Sequence, residues 1–496
     1  MKTLRDLLQA IRVIDSNGSD DIAVAGLCYH SSRCTEGDLF VCITGYQTDG
    51  HRYLQDAVDR GAAAAIVERF QPHVPVPQFL VENSRVALAR LGAAYYGHPA
   101  DRMTMIGITA TNGKTSTTYM VNAMLEKHGL TTGMIGTVVV KIDDETIPSE
   151  LTTPESLDLQ RYLRQMADRG VTHVSMEVSS AAQETNRVET VDYDIVAFNN
   201  LSREHIDSHG SFEQYFEAKS RLIRNAGEHA AAVLNLDDEY SASLIEQTNA
   251  QVVTFGVRRQ DGYVACKGLD LTTGRAKFDF AVVRPIVYGT REIAPCSFRV
   301  ELSVPGLHSV YNAMSAITIA LLCGVPAETI QETMRSFQGV ERRFEFIHEG
   351  DFTVVDDHFA NPGNIHVTLE TLKFMQFEKL HLVYAIRGSR GPTVNRENAE
   401  AIVEWMQRLE LDELIATRSV SHVTAKDTVT DQETDVFLDV MRRANIKVRM
   451  YDELPEAVAA AIAEARRGDL ILLAGCQGMD PGGAIAKEVL RAGGQA

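Results

Sequence analysis

Residues 107–118, Gly-Ile-Thr-Ala-Thr-Asn-Gly-Lys-Thr-Ser-Thr-Thr, constrain the fold of this chain more than any other stretch. The apolar, β-prone run Met103–Ile108 leads into Asn112-Gly113-Lys114-Thr115, and Tyr119–His128 continues with apolar residues at helical spacing. A strand, a tight loop and a helix are therefore predicted, with the loop at the helix N-terminus. Backbone N–H groups and the positive helix end would converge there on phosphate oxygens, with Lys114 bridging the outer phosphates and the Thr115 hydroxyl on Mg²⁺. The spacing departs from the strict G-x-x-x-x-G-K-S/T pattern, because Ile108 stands where the first glycine belongs. A chance Gly-Lys-Thr turn is the competing reading of the segment alone.

The 496 residues are enough for about three domains, each able to bury its own core. Their 48 basic and 67 acidic residues give a net charge of −19, which disfavours nucleic acid or an anionic membrane as partner. Basic side chains would instead be deployed locally around an anionic ligand. Met1-Lys-Thr-Leu-Arg-Asp reads as the start of an amphipathic helix rather than a signal peptide, and no apolar run approaches the roughly 18 residues that span a bilayer. A cytoplasmic location is the default expectation. Seven scattered cysteines with no C-x-x-C pair argue against a disulfide framework or a zinc site and read as small buried thiols.

Three regions separate along the chain, giving an α/β protein. Residues 1–100 alternate short strands (Leu39–Ile43, Ala63–Val67) with helices and hold the turn-rich Gly45–His51. Residues 101–341 begin with the phosphate loop and contain apolar runs, Val171–Val178 and Ile195–Phe198, typical of buried parallel strands. Residues 342–496 again alternate, with strands expected at Phe352–Val355, Leu380–Ile386, Leu414–Thr417, Lys447–Tyr451 and Leu470–Ala474, a doubly wound, Rossmann-like pattern. Residues 258–300 read only as antiparallel strands or loops.

Glu177 ends a predicted buried strand beside the phosphate loop, where a Mg²⁺ ligand belongs; a solvated carboxylate at a strand end is the alternative. Downstream, Arg203 to His209 crowds two histidines and two carboxylates into seven residues, a density of ligands or acid/base groups that a plain loop rarely needs. Lys219 follows on a helix, its charge either solvated or directed at a phosphate.

These residues resemble the Mur ligases, ATP-dependent enzymes of peptidoglycan synthesis, most closely the type that adds the third amino acid to a UDP-N-acetylmuramoyl-dipeptide. The family's T-G-T-N-G-K-T-T stands here as Thr109–Ser116, E-V-S-S as Glu177–Ser180, N-L-x-x-D-H-x-D-x-H-G as Asn200–Gly210 and Y-x-x-A-K as Tyr215–Lys219. The resemblance implies three domains: a UDP-binding one, an ATP-binding one with a parallel sheet, and a C-terminal one for the acceptor amine. It implies ATP contacts from Thr111, Asn112, Gly113, Lys114, Thr115, Ser116, Asn312 and Arg343. It also implies Mg²⁺ on Thr115, Glu177, His205 and a carbamylated Lys219. The UDP signature D-S-R-x-x-x-G-D-L-F is matched by Ser31–Phe40, making Ser32 a uridine contact, and Thr152, Thr153, Ser179 and Arg187 match the sugar-peptide segment. A hydroxyl trio and a guanidinium suit pyrophosphate and carboxylate groups.

The C-terminal region departs from the family. D-Y-A-H-N-P becomes Asp357–Pro362, with Ala360 in place of the histidine and His358 in place of the aromatic; G-x-R-D becomes Gly388-Ser-Arg390-Gly. D-N-P-R is absent, Arg418-Ser-Val-Ser-His422 following the expected strand, and G-K-G-H-E is replaced by Gly475–Asp480. As the resemblance implies, a substrate carboxylate attacks the γ-phosphate of ATP, an acyl phosphate forms, and an amine displaces phosphate, with Lys114, Lys219, His205 and Arg390 as catalytic groups. His358 or Asp357 is the candidate for taking the amine's proton. Three expectations compete: a third-residue synthetase using lysine or diaminopimelate, a paralogous ligase joining another amine to a UDP-muramoyl-peptide-like donor, and a non-catalytic nucleotide-binding protein. A monomer that closes its domains around ATP is expected.

Overall fold

The computed structural model describes residues 2–45, 48–202, 211–271 and 275–493. Three sheets organise them. The first has five strands in the order Asp15–Ser16, Gln78–Leu80, Ala64–Val67, Asp38–Val41 and Gly26–Cys28, backed by the helix Ser84–Tyr96. Expected strands at 39–43 and 63–67 fall on two of these, and the predicted N-terminal helix runs over Leu4–Leu8.

The central sheet has eleven strands. Thr104–Thr109 lies between His173–Glu177 and Ile195–Phe198, and the parallel order continues through Ala231–Asn235 and Gln251–Gly256. These strands are apolar at nearly every position because helices cover both faces; Ile106, Ile108, Val174, Met176 and Ile195 through Phe198 are wholly buried. Beyond them, Val264–Asp270, Arg275–Val282 and Cys296–Pro305 add an antiparallel extension, so strands rather than loops occupy most of 258–300.

The third sheet has six strands, in the order Glu345–Glu349, Thr353–His358, Leu470–Gly475, Leu380–Ala385, Glu413–Thr417 and Lys447–Tyr451. All but the first run parallel, as the doubly wound pattern predicts. The C-terminal strand ends of the central and third sheets face one cavity, as the crevice rule for open α/β sheets demands. All seven cysteines are free thiols, six buried and Cys296 exposed. Among the described residues no helix is long and apolar enough to cross a membrane.

Candidate functional site

The chain leaves the central strand Thr104–Thr109 at its C-terminal end and enters the helix Lys114–Lys127 through a four-residue loop. Gly113, at the N-cap, has φ +88°, no side chain caps the helix, and its first turn lines the cavity. Asn200, from the end of the neighbouring strand, fixes the loop. Its Oδ1 accepts from Asn112 N at 3.0 Å, its Nδ2 donates to Asn112 O at 2.8 Å, and its carbonyl accepts from Thr111 N at 2.9 Å. Lys114 Nζ folds back to donate to Ala110 O and Thr111 O, at 2.9 and 3.0 Å.

Glu177 is wholly buried at the end of its strand. Its Oε2 accepts from the hydroxyls of Thr115 and Thr137, both at 3.0 Å, and its Oε1 accepts from Thr137 N at 2.8 Å. A threonine hydroxyl and a carboxylate oxygen 3.0 Å apart beside a phosphate loop are hard oxygen donors that fit a Mg²⁺ ion. Lys219, buried on the helix Phe212–Arg224, donates to the same Ala110 carbonyl as Lys114, at 2.8 Å, and its ammonium stands 4.9 Å from the Tyr215 ring centre. Two ammonium groups thus converge on one carbonyl. His205 lies outside the described residues, with the rest of 203–210.

The hydroxyls matched to the donor segment gather next to Glu177. Thr152 Oγ1 is 3.1 Å from Thr137 Oγ1. Thr153 Oγ1 donates to the Glu177 carbonyl at 2.8 Å and accepts from Ser179 N at 3.1 Å, and Arg187 Nη1 donates to Thr153 O at 3.0 Å. Ser32 stands apart from the cavity, in the five-stranded unit, its Oγ 2.8 Å from His30 Nδ1.

A cavity of about 610 Å³ connects the phosphate loop, Glu177 and Thr152 with the C-terminal unit, while Thr153, Ser179, Arg187 and Lys219 are not among its lining residues. Thr111 through Ser116, Thr152, Glu177, Asn312, Arg343, His358 and Arg387 all line it. Asn312 packs against Gly113 from the helix Leu307–Leu322. Asn364 Nδ2 reaches across to donate to Asn112 Oδ1 at 2.7 Å. Burial, with Arg343, Arg342 and Arg387 nearby, pushes the His358 imidazole down to about 2, so it is neutral. Its Nε2 lies 3.5 Å from Cys476 Sγ. Asp357 accepts from Phe344 N at 3.1 Å, from His358 N at 2.8 Å and from the Thr368 hydroxyl.

Arg390 does not line the cavity. Its exposed guanidinium stands 3.6 Å from Asp427, and Arg387, three residues earlier, faces the site instead. Sequence reasoning also passed over Asp237, whose carboxylate accepts from the N–H groups of Val257, Arg258 and Arg259 and from the Tyr311 hydroxyl at 3.0 Å. Those bonds outweigh burial and hold it below the usual carboxylate range. Its signal was the segment Asn235-Leu-Asp-Asp at the end of a buried strand.

Comparison with known proteins gives a consistent result. Residues 23–96 match "Mur ligase family, catalytic domain", 108–320 "Mur ligase middle domain" and 342–477 "Mur ligase, glutamate ligase domain". A UDP-N-acetylmuramoyl-L-alanyl-D-glutamate--2,6-diaminopimelate ligase of Caldanaerobacter subterraneus subsp. tengcongensis is 34% identical over 474 residues, 95% of this chain and 93% of its own. A solved structure of a ligase of that name superposes with a TM-score of 0.69 at 20% identity, covering 100% of both chains. The MurF ligase of Thermotoga maritima, solved in complex with ADP, gives a TM-score of 0.64 at 19% identity, covering 95% of this chain and 98% of its own.

Proposed function

The chain belongs to the Mur ligase family, and from that premise we propose that it uses ATP to join a UDP-N-acetylmuramoyl-peptide-like carboxylate to a small amine. It is an ATP-dependent ligase of the peptidoglycan-precursor type. The observation that carries the reading is the meeting of Lys114, Thr115 and Glu177 with Arg343 and Arg387 around one cavity. On this reading residues 1–100 hold the uridine end of the donor, with Ser32 in contact. Residues 101–341 hold ATP and the donor's peptide end, and residues 342–496 hold the amine.

A donor carboxylate oxygen attacks the γ-phosphorus, the β,γ-bridging oxygen leaves with ADP, and an acyl phosphate results. The amine then attacks the acyl carbon, the carbon–oxygen bond to phosphate breaks, and an amide and inorganic phosphate are released. The helix N-terminus, Lys114 and Arg387 meet the charge on the transferring phosphoryl group, and positioning supplies much of the rate. Thr152, Thr153, Ser179 and Arg187 orient the donor. Mg²⁺ on Thr115, Glu177 and His205 would neutralise phosphate charge. Carbamylation of Lys219 would replace one of two adjoining cations by an anion that completes this set, and the convergence of both ammonium groups on Ala110 O supports it. His358, held neutral by burial and three arginines, and its neighbour Asp357 are the candidates for taking the amine's proton. On this reading a monomer is the working unit, and ATP-driven chemistry on a UDP-linked donor fits the cytoplasm.

A second reading concerns the amine. Arg418, at the place of the missing D-N-P-R motif, is tied to Asp431 at 3.0 Å and to Val429 O at 3.2 Å. The loss of the motif, with Arg418 turned toward Asp431 in its place, supports an amine other than diaminopimelate on the same activated donor. The test is ATP-dependent phosphate release with UDP-N-acetylmuramoyl-L-Ala-D-Glu, challenged with each amino acid, diaminopimelate and ornithine, and with Lys114→Ala as control. Release with diaminopimelate or lysine alone makes D-N-P-R dispensable, and release only with another amine establishes the paralogue. Silence with every amine, despite ATP binding, favours another donor or a protein without catalysis.

A further inference from the structure

A second guanidinium, from a different unit, meets the same carboxylate as Arg187. Arg85 lies in the first turn of the helix Ser84–Tyr96, behind the five-stranded sheet. Its Nη1 is 3.3 Å from Glu155 Oε2, while Arg187 Nη2 is 3.0 Å from Glu155 Oε1. The two side chains are only 16% and 12% exposed, so both forks are largely removed from water. Arg85 Nε donates to Thr44 O and Arg187 Nη1 to Thr153 O, each at 3.0 Å, which pins one fork on either side of a single carboxylate. Arg187 Nε is buried and has no hydrogen-bond partner among the described residues.

Two cations thus flank one anion beside Thr153. In a chain of net charge −19, a half-dry pair of guanidinium groups at that place is a specific arrangement, and planar N–H forks match the paired oxygens of carboxylate or phosphate. We propose that Arg85 is a donor-binding residue. Arg85 and Arg187, one from each of two units, grip an oxyanion of the donor that takes no part in the reaction, and Glu155 holds the two forks in place to receive it. The assignment rests on the donor reading above. Such a donor carries two anions of this chemistry: its pyrophosphate and whichever glutamate carboxylate is not activated. Contact from Arg85 also gives the N-terminal unit a hold on the donor near its reacting end, separate from the uridine contact at Ser32.

Steady-state phosphate release with UDP-N-acetylmuramoyl-L-Ala-D-Glu tests this on wild type, Arg85→Lys and Arg85→Met, with a thermal melt of each. Both variants are expected to raise the donor KM by about 10- to 100-fold, with kcat and the ATP KM within about threefold of wild type. Inhibition by UDP-N-acetylglucosamine, which has the pyrophosphate but no carboxylate, separates the two anions. Its inhibition constant stays put in Arg85→Met if the carboxylate is held, and rises in step with the donor KM if the pyrophosphate is. A donor KM within about twofold of wild type in both variants, with a lowered melting temperature, would overturn the assignment and leave Arg85 an ion pair between units. Wild-type protein that releases no phosphate with this donor under any amine would sink the donor reading, and this assignment with it.

Discussion

Gly113 combines φ +88° with a neighbour that leaves no room, since a Cβ there would lie 2.2 Å from Asn312 Oδ1. Asn312 is itself buried and lines the same cavity, so its side chain must shift along the cavity wall to make room. Gly113→Ala therefore meets two separate costs: about 1–2 kcal/mol for a left-handed backbone in a residue with a Cβ, and the displacement of Asn312. Its ATP KM is expected to rise by about tenfold or more. Adding Asn312→Ala removes the collision and leaves the dihedral cost, so the double variant should recover only part of the loss, read in a double-mutant cycle of KM values. Full recovery would show that the backbone conformation is of no consequence. At this scale the sequence was informative where a residue's role is local. The loop, Thr115 and Glu177 stand where strand and helix patterning put them. Asn200 and Asp237 escape sequence reading as loop-fixing and cavity-lining groups because their partners come from other connections, Asn112 from the phosphate loop and residues 257–259 from the turn after Gln251–Gly256.

Among the elements, the connection between the strand Leu380–Ala385 and the helix Gly391–Arg408 shows what periodicity cannot reveal. The family motif singles out Arg390, yet Arg387 faces the cavity. The cause is Glu433, 42 residues beyond Gly391, whose buried carboxylate accepts from Ser389 N at 3.2 Å, Arg390 N at 2.9 Å and Gly391 N at 2.8 Å. It also accepts from Thr430 N and the Thr430 hydroxyl, both at 2.9 Å, closing a capping box. An internal anion therefore occupies the N-terminus of that helix, where a doubly wound fold would otherwise receive a ligand, and turns Arg390 out toward Asp427. The antiparallel strands after residue 264 were hard to read for a similar reason. Their in–out alternation breaks at the register shift between Lys267 and Asp270, while the parallel strands announced themselves as continuous apolar runs. Burial alone would raise the Glu433 carboxyl, but its backbone and hydroxyl donors prevail and hold it below 4.5. A folded-state value below the unfolded one contributes stability that is present above the ordinary carboxylate range and is lost as pH falls through the folded value. Glu433→Gln should thus melt below wild type at pH 7, and the gap should narrow as the pH is lowered through 4.5 and beyond. Melting curves that run parallel across that range would refute the charged role.

Over the whole molecule, the phosphate loop and the arginines of the C-terminal unit sit on different sheets, and the sequence pattern required them to meet. They do so around one cavity, lined by Lys114 on one side and by Arg343 and Arg387 on the other, with the Asn364–Asn112 hydrogen bond reaching across it at 2.7 Å. That bond, the Arg275–Glu349 ion pair and the Thr371–His308 contact join the two units, and polar contacts at about 1 kcal/mol each are too little to make two bodies of this size unfold as one. A nucleotide held from both sides differs in kind, because it stabilises only the arrangement in which both walls are folded and apposed. At a hundred times its Kd it adds about 2.7 kcal/mol to that arrangement. Calorimetry without nucleotide should therefore resolve the unit of residues 101–341 from that of 342–496 as separate transitions. A non-hydrolysable ATP analogue with Mg²⁺ should shift both upward and draw them together. Lys114→Ala should abolish the shift in both units although it alters only one, and that transfer across the cavity is the decisive signal. An analogue that raises the central transition and leaves the C-terminal one unmoved would mean that ATP is bound by the central unit alone. Arg343 and Arg387 would then have no part in holding it.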